Sequence, residues 1–272
     1  MLGRGFVYSL LALWALLSLF PLVWMFLTAF VKPELVRTTA ILPVSSWSDL
    51  SLENFRILWK HARMGRWFAN TVAVCGVATV LHVLFDSMAG YAFARKEFAG
   101  RSFLFWLVLG TMMIPGQVLI VPMFLLMRNL GLIDTLAAVA LPSLSSPFGI
   151  FMMRQFMLGL PRDLLDAARI DGASELGIYW RIVAPLAAPA MATLAIFVFM
   201  SSWNAFMWPL VVLFSADHYT LAVGLATLQG KHTVDYGLLM AGASVTAAPM
   251  IVAFLFMSRY VVRGLSAGAL KG

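Results

Sequence analysis

Residues 185–214 read PLAAPAMATLAIFVFMSSWNAFMWPLVVLF, and no charged side chain interrupts them. A helix crossing a bilayer needs about 20 mostly apolar residues, because each adds ~1.5 Å against a hydrocarbon core of ~30 Å. The run therefore predicts a membrane-spanning helix. Five more stretches share its character or nearly so: 6–31, 67–94, 102–127, 134–154 and 236–260. The expectation is an all-α polytopic protein with six transmembrane helices, forming one domain over 1–272.

Composition agrees with this reading. Of 272 residues 62% are apolar and 11% charged, with a mean hydropathy of +0.91. Soluble domains carry about 45–50% apolar and roughly 25% charged residues, so an ordinary soluble protein, a disordered chain and a disulfide scaffold are all excluded. Cys75 is the sole cysteine and can form no intrachain disulfide. The formal charge of +7 comes from basic residues at the ends of apolar runs. The bilayer explains them, and nucleic acid is not an expected partner.

Several runs carry local signals. The first follows Arg4, yet it is too long for a signal-peptide core and lacks a small-x-small cleavage site, so a retained anchor is expected. The fourth contains Pro142, Ser143, Ser145, Ser146 and Pro147, which predicts a broken helix. Pro115-Gly116 and Pro122 predict bends in the third. Between the first two runs, 52–67 places Leu52, Phe55, Leu58 and Trp59 among basic residues, the pattern of an interfacial amphipathic helix. With the N-terminus inside, eleven basic residues fall on the cytoplasmic side and eight outside, six of those eight in the first outer loop. The positive-inside rule then predicts that both termini are cytoplasmic.

Reactive constellations are absent. There is no His-Glu-x-x-His metal motif, no Gly-x-Ser-x-Gly elbow and no metal cluster. Gly224 to Gly230-Lys231 has five residues between its glycines, and His232 stands where a phosphate loop needs Ser or Thr. No catalytic residue is expected. Uphill transport with ATP would need another subunit to supply the nucleotide site.

The loop 158–185 is far longer than a helical hairpin requires. Pro161 suits a helix start, Asp163 and Asp166 its first turns, Gly172 a tight turn, and Ser174 the cap of a second helix through Glu175, Tyr179 and Arg181. A helix-turn-helix outside the membrane is expected. Ala167 and Ala168 give it a face without bulk, against which a partner's backbone could lie.

Here the sequence resembles a family. Asp166-Ala167-Ala168, three residues, Gly172, nine residues, Ile182, one residue and Ala184-Pro185 match the "EAA" signature of permease subunits of bacterial ABC importers. Asp166 replaces the usual Glu and Ala184 the usual Leu. Tyr91-Ala92-Phe93-Ala94-Arg95, Ile114-Pro115-Gly116, Gly131-Leu132, Ala168 to Ser174, Trp203-Asn204, Trp208-Pro209 and the tail Gly268 to Gly272 resemble the maltose-type, MalG-like carbohydrate-uptake branch. The resemblance implies a sugar-importer permease in the cytoplasmic membrane of a bacterium or archaeon. Its implied partners are a second related permease, two ATPase subunits holding ATP and Mg, and an extracytoplasmic binding protein. It implies ATPase coupling through Asp166, Ala167, Ala168, Arg169, Asp171, Gly172 and Ser174.

Two further clusters stay open at this level. Trp203, Asn204 and Trp208 fit either a sugar pathway or an interfacial aromatic belt. Asp86 is the one acidic residue well inside a predicted span, with His82 one turn earlier on the same face. A structural pair is the favoured reading, with reach to headgroups or Arg95 as a variant. A proton relay, belonging to a stand-alone secondary transporter, is the alternative. Import of glycerol phosphate or a polyol is a further one.

Overall fold

The computed structural model describes residues 2–36, 44, 46–61, 63–228 and 235–269, the side chains of 2, 3, 61 and 256–269 excepted. Arg37, Lys231 and the end of the tail, together with the side chains of Arg259 and Arg263, lie outside the described residues. So does the Gly230-Lys231-His232 end of the imperfect phosphate-loop match. Among the described residues the fold is helical, with one isolated antiparallel bridge, Val31 to Leu50. By packing the chain forms two units: Met1–Phe68 with Thr220–Val252, and Ala69–Tyr219 with Ala253–Gly272.

Four helices are long and apolar enough to cross a membrane unaided: Arg4–Ala29, Met64–Arg95, Glu175–Trp203 and Tyr236–Leu255. Two bent pairs complete six when each counts as one crossing, Arg101–Thr111 with Gly116–Asn129 and Leu136–Ser143 with Pro147–Leu158. The bends are 91° and 45°, and both fall where sequence placed breakers. Pro115 interrupts the third crossing. Pro122, by contrast, sits in the first turn of Ile120–Asn129, where a missing N–H costs nothing and no kink follows.

In the first unit, the helix Glu53–His61 is shorter than the expected 52–67 and turns a different face inward. Leu58 and Asn54 are buried, whereas Leu52 and Trp59 are exposed. The reason is polar. Asn54 Nδ2 donates to the Ala29 and Val31 carbonyls at 3.1 and 2.7 Å, satisfying the oxygen at the end of the first helix and one just beyond it. Phe55 packs its ring 4.9 Å from that of Phe30.

The second unit takes in residues 69–95 of the helix Met64–Arg95. Near the helix end Arg95 Nε donates to Met157 O at 2.9 Å and Nη2 to Leu158 O at 3.0 Å, with Leu160 O a third acceptor. A cation thus caps the C-terminus of Pro147–Leu158, where the helix dipole favours positive charge. Arg95 is therefore engaged with that helix end and makes no link to Asp86. The fifth crossing differs from the expected 185–214 at both ends. It begins at Glu175, passes through a π-turn at Tyr179–Val183, and stops at Trp203, before a separate short helix Met207–Val212. Pro185 lies in the opening turn of the segment Ala184–Trp203 and breaks nothing.

Candidate functional site: a helical hairpin and a half-open cavity

The hairpin predicted at 158–185 is present. Pro161 precedes the helix Arg162–Ile170 as its cap residue, and Ser174 caps the next helix, its Oγ accepting the Gly177 N–H at 3.2 Å. Between them Gly172 takes φ of +78°, a left-handed conformation that costs a residue with a Cβ roughly 1–2 kcal/mol. The second helix is no separate element, because it runs on into the fifth crossing.

One face of the hairpin is sealed. Leu165, Ala168, Ile178 and Tyr179 join a buried cluster with Tyr91, Met153 and Met157. Ala168 is only 8% exposed, so its small side chain serves the chain's own close packing and offers no face to a partner. Ala167 lies on the outer side. Beside the sealed face, Arg169 bonds Asp166 Oδ1 at 2.6 Å and Glu175 Oε1 at 3.1 Å, and Lys96 pairs with Glu175. The hydrogen bond to Glu175 is the main reason the Arg169 guanidinium sits above its ordinary pKa. These pairs are largely solvent-facing, worth ~0–1 kcal/mol each. Burying Leu165 and Ile178 contributes about 1.5–3 kcal/mol apiece, so apolar packing holds the hairpin and the charges set its register. At the tip, Ile170 is 87% exposed, flanked by exposed Asp171 and Gly172.

The second feature is a cavity of about 640 Å³ within the second unit. His82, Ser145, Ser146, Ser201, Ser202 and Trp208 are among the side chains that line it, and none of its lining residues is Asp, Glu, Lys or Arg. Asp86 lies behind this wall, 0% exposed. Its Oδ2 is 3.0 Å from His82 Nδ1. Ser145 Oγ donates to Oδ1 at 2.5 Å, as does the Ser146 N–H at 3.0 Å, and Ser146 Oγ donates to Oδ2 at 3.3 Å. The pair predicted from spacing is thus real, but its carboxylate also fastens the break of the fourth crossing. Sequence reading missed Ser145 and Ser146 as its partners; the only signal was their position at a predicted break.

The three residues proposed for a pathway separate. Trp203 is 3% exposed and stacks on Phe199 at 5.6 Å. Asn204 donates its amide back to Met200 O at 2.8 Å. Trp208 alone reaches the cavity, with its indole N–H donated to Ala138 O at 3.0 Å. The short helix carrying Trp208 is tethered by Asp134, whose N–H reaches Val212 O at 2.8 Å and whose Oδ1 accepts the Phe214 and Ser215 N–H groups at 2.8 and 2.9 Å. Burial alone would raise that carboxyl's pKa, but the bonds from Ser215, Phe214 and His218 outweigh it and hold it at about 2.

Multiple crossings, a hairpin packed against them and a half-open cavity without Asp, Glu, Lys or Arg in its lining are the features of a membrane transport subunit. The chain belongs to the family of binding-protein-dependent transport system inner membrane components, which matches residues 87–267. It is 43% identical over 259 residues to the arabinooligosaccharides transport system permease protein AraQ of Halalkalibacterium halodurans, covering 95% of this chain and 93% of that one. It is 33% identical to the trehalose/maltose transport system permease protein MalG of Thermococcus litoralis, over 96% and 94% of the two chains. Among solved structures it resembles a chain of a bacterial ABC transporter that imports the acidic polysaccharide alginate, at 25% identity and a TM-score of 0.84, covering 94% of this chain and 96% of that one. The chain is thus a transporter permease subunit and not an enzyme.

Proposed function

We propose that the chain is one permease of an ATP-driven importer of a neutral oligosaccharide, and that its hairpin receives the stroke of a separate ATPase. Relatives named for arabinooligosaccharide and trehalose/maltose transport support the substrate class. The partners in this reading are a second permease, two ATPase subunits holding ATP and Mg, and an extracytoplasmic binding protein.

The observation that carries the coupling role is the exposed Ile170 beside the Gly172 turn, on a hairpin whose opposite face is sealed. A large apolar side chain at the tip of a rigid projection is suited to a pocket on another protein. Ala167, Asp166, Arg169, Asp171 and Ser174 surround that tip or brace it, whereas Ala168 supports it from within. The experiment is copurification. Ile170→Asp should leave the chain folded in the membrane, strip the ATPase from it, and reduce uptake by about tenfold or more, as for a truncated interface anchor. Normal copurification and uptake would remove the hairpin from the ATPase interface.

In this reading the hairpin faces the cytoplasm, and so do both termini. Reporter fusions after Met64 and Ala216 should then read external, and those after Gly100 and Gly172 cytoplasmic. A cytoplasmic signal at Met64 would invert the orientation.

A further inference from the structure

We propose that the cavity is a station for one uncharged, hydroxyl-rich segment of the transported solute, with His82 as the group that reads it. This rests on the sugar-import reading and extends it to a place and a polarity. The lining supplies no Lys or Arg to balance a phosphate or a uronate, and no Asp or Glu to hold a cation. Its volume of about 640 Å³ falls within the ~300–1,000 Å³ of small-molecule sites. Trp208, Phe148 and Phe197 give it an aromatic wall, with the two Phe rings edge to face at 6.2 Å. Such a wall suits the C–H face of a sugar ring.

The polar side is narrower than a count of serines suggests. Ser145 and Ser146 are committed to Asp86, and Ser143 Oγ donates to Ala140 O at 3.2 Å. Those hydroxyls can still only accept from a ligand, which leaves the second ring nitrogen of His82 and the hydroxyls of Ser201 and Ser202 as the further polar groups of the lining. Asp86 Oδ2 lies 3.0 Å from His82 Nδ1, so Nδ1 is taken by the carboxylate and Nε2 is the ring nitrogen left for a ligand. A hydroxyl can meet that nitrogen as donor or acceptor, whereas a phosphate would enter a lining with no Lys or Arg to balance its charge. Asp86 acts through His82 and is a positioning residue.

The test uses the assembled importer in lipid nanodiscs, with Cys75→Ser removing this chain's native thiol and Ala205→Cys, also on the cavity lining, as a reporter for maleimide labelling. Arabinotriose should slow labelling, and glycerol 3-phosphate should not. His82→Leu should weaken the protection about fivefold, the loss of one hydrogen bond, while His82→Gln, which offers an amide oxygen, should retain most of it. Asp86→Asn removes the carboxylate that holds the ring, so it should weaken protection with His82 present and add nothing in the His82→Gln background. A role confined to folding would give equal effects in both. Equal protection by glycerol 3-phosphate overturns the assignment. So does an absence of protection by arabinotriose while the same preparation still shows arabinotriose-stimulated ATP hydrolysis, and in that case sugar import stands. Loss of both, with maltose and trehalose also inert, overturns the cavity and the sugar reading together.

Discussion

Gly172→Pro should abolish uptake while leaving the chain inserted in the membrane at normal abundance. The backbone there has φ of +78°, and proline fixes φ near −65°. The Gly172 N–H also donates to Arg169 O at 3.0 Å, a bond proline cannot make. The two helices of the hairpin then lose their angle, and the tip bearing Ile170 moves away from any docking surface. Gly172→Ala is the graded companion, carrying a strain of roughly 1–2 kcal/mol, and should leave reduced but measurable uptake. Immunoblots of membranes, ATPase copurification and uptake in vesicles separate insertion from coupling. Normal uptake in the proline variant would show that the turn is not part of the transport cycle. Ala168→Trp should also abolish uptake, by a different route from the one its sequence context suggests. The side chain has no room in the cluster of Tyr91, Met153 and Ile178, so this variant should lose thermal stability, unlike Ile170→Asp.

The second large effect is expected at Gly90. A Cβ there would lie 2.7 Å from Met153 Cβ and 2.9 Å from the Arg154 backbone nitrogen, so the helices Met64–Arg95 and Pro147–Leu158 would have to part. Overpacking of this kind costs about 1–3 kcal/mol. Gly149→Ala should act at the same seam, since its Cβ would fall 1.9 Å from Asp86 Oδ2 and push the carboxylate off its donors. Gly76, on the same long helix, has nothing within 4 Å, and there Ala should gain up to ~1 kcal/mol of helix propensity. Melting of detergent-purified protein should therefore fall for Gly90→Ala and Gly149→Ala and hold or rise for Gly76→Ala. Equal behaviour of the three would mean that this seam is not a close helix contact.

The contrast between these glycines marks where sequence reading stopped. Apolar runs and prolines located the four long crossings and both bent pairs, because lipid imposes a length rule on each segment independently. The turn at Gly172 and the cap at Ser174 were legible for the same reason, being set by neighbours in the chain. Which face of a helix meets which other helix is not local. Gly76 and Gly90 look alike in sequence, as do Ala167 and Ala168, yet one of each pair is buried. The spacing of His82 and Asp86 was visible, but Ser145 and Ser146 come from a segment about sixty residues away, and no periodicity links them. Trp203 and Asn204 were drawn toward the pathway by residue type; in the structure Trp203 is buried against Phe199, Asn204 donates to Met200 O, and neither lines the cavity.

The continuity of the helix Glu175–Trp203 has a mechanical consequence. Its 29 residues make an arm of about 43 Å at ~1.5 Å per residue, so a tilt of roughly 5° at one end sweeps the other through about 4 Å. The base of that arm is Glu175, ionically tied to Lys96 and Arg169, and Ser201 and Ser202 ride near its far end on the cavity wall. Close to the base, in the π-turn, Tyr179 OH shares a 2.6 Å hydrogen bond with Ser87, one residue from the carboxylate that fastens the fourth crossing. That bond is placed as a fulcrum. In the proposed coupling, a small rocking of the hairpin about it would become an ångström-scale change in the width of the cavity, with no element having to unfold.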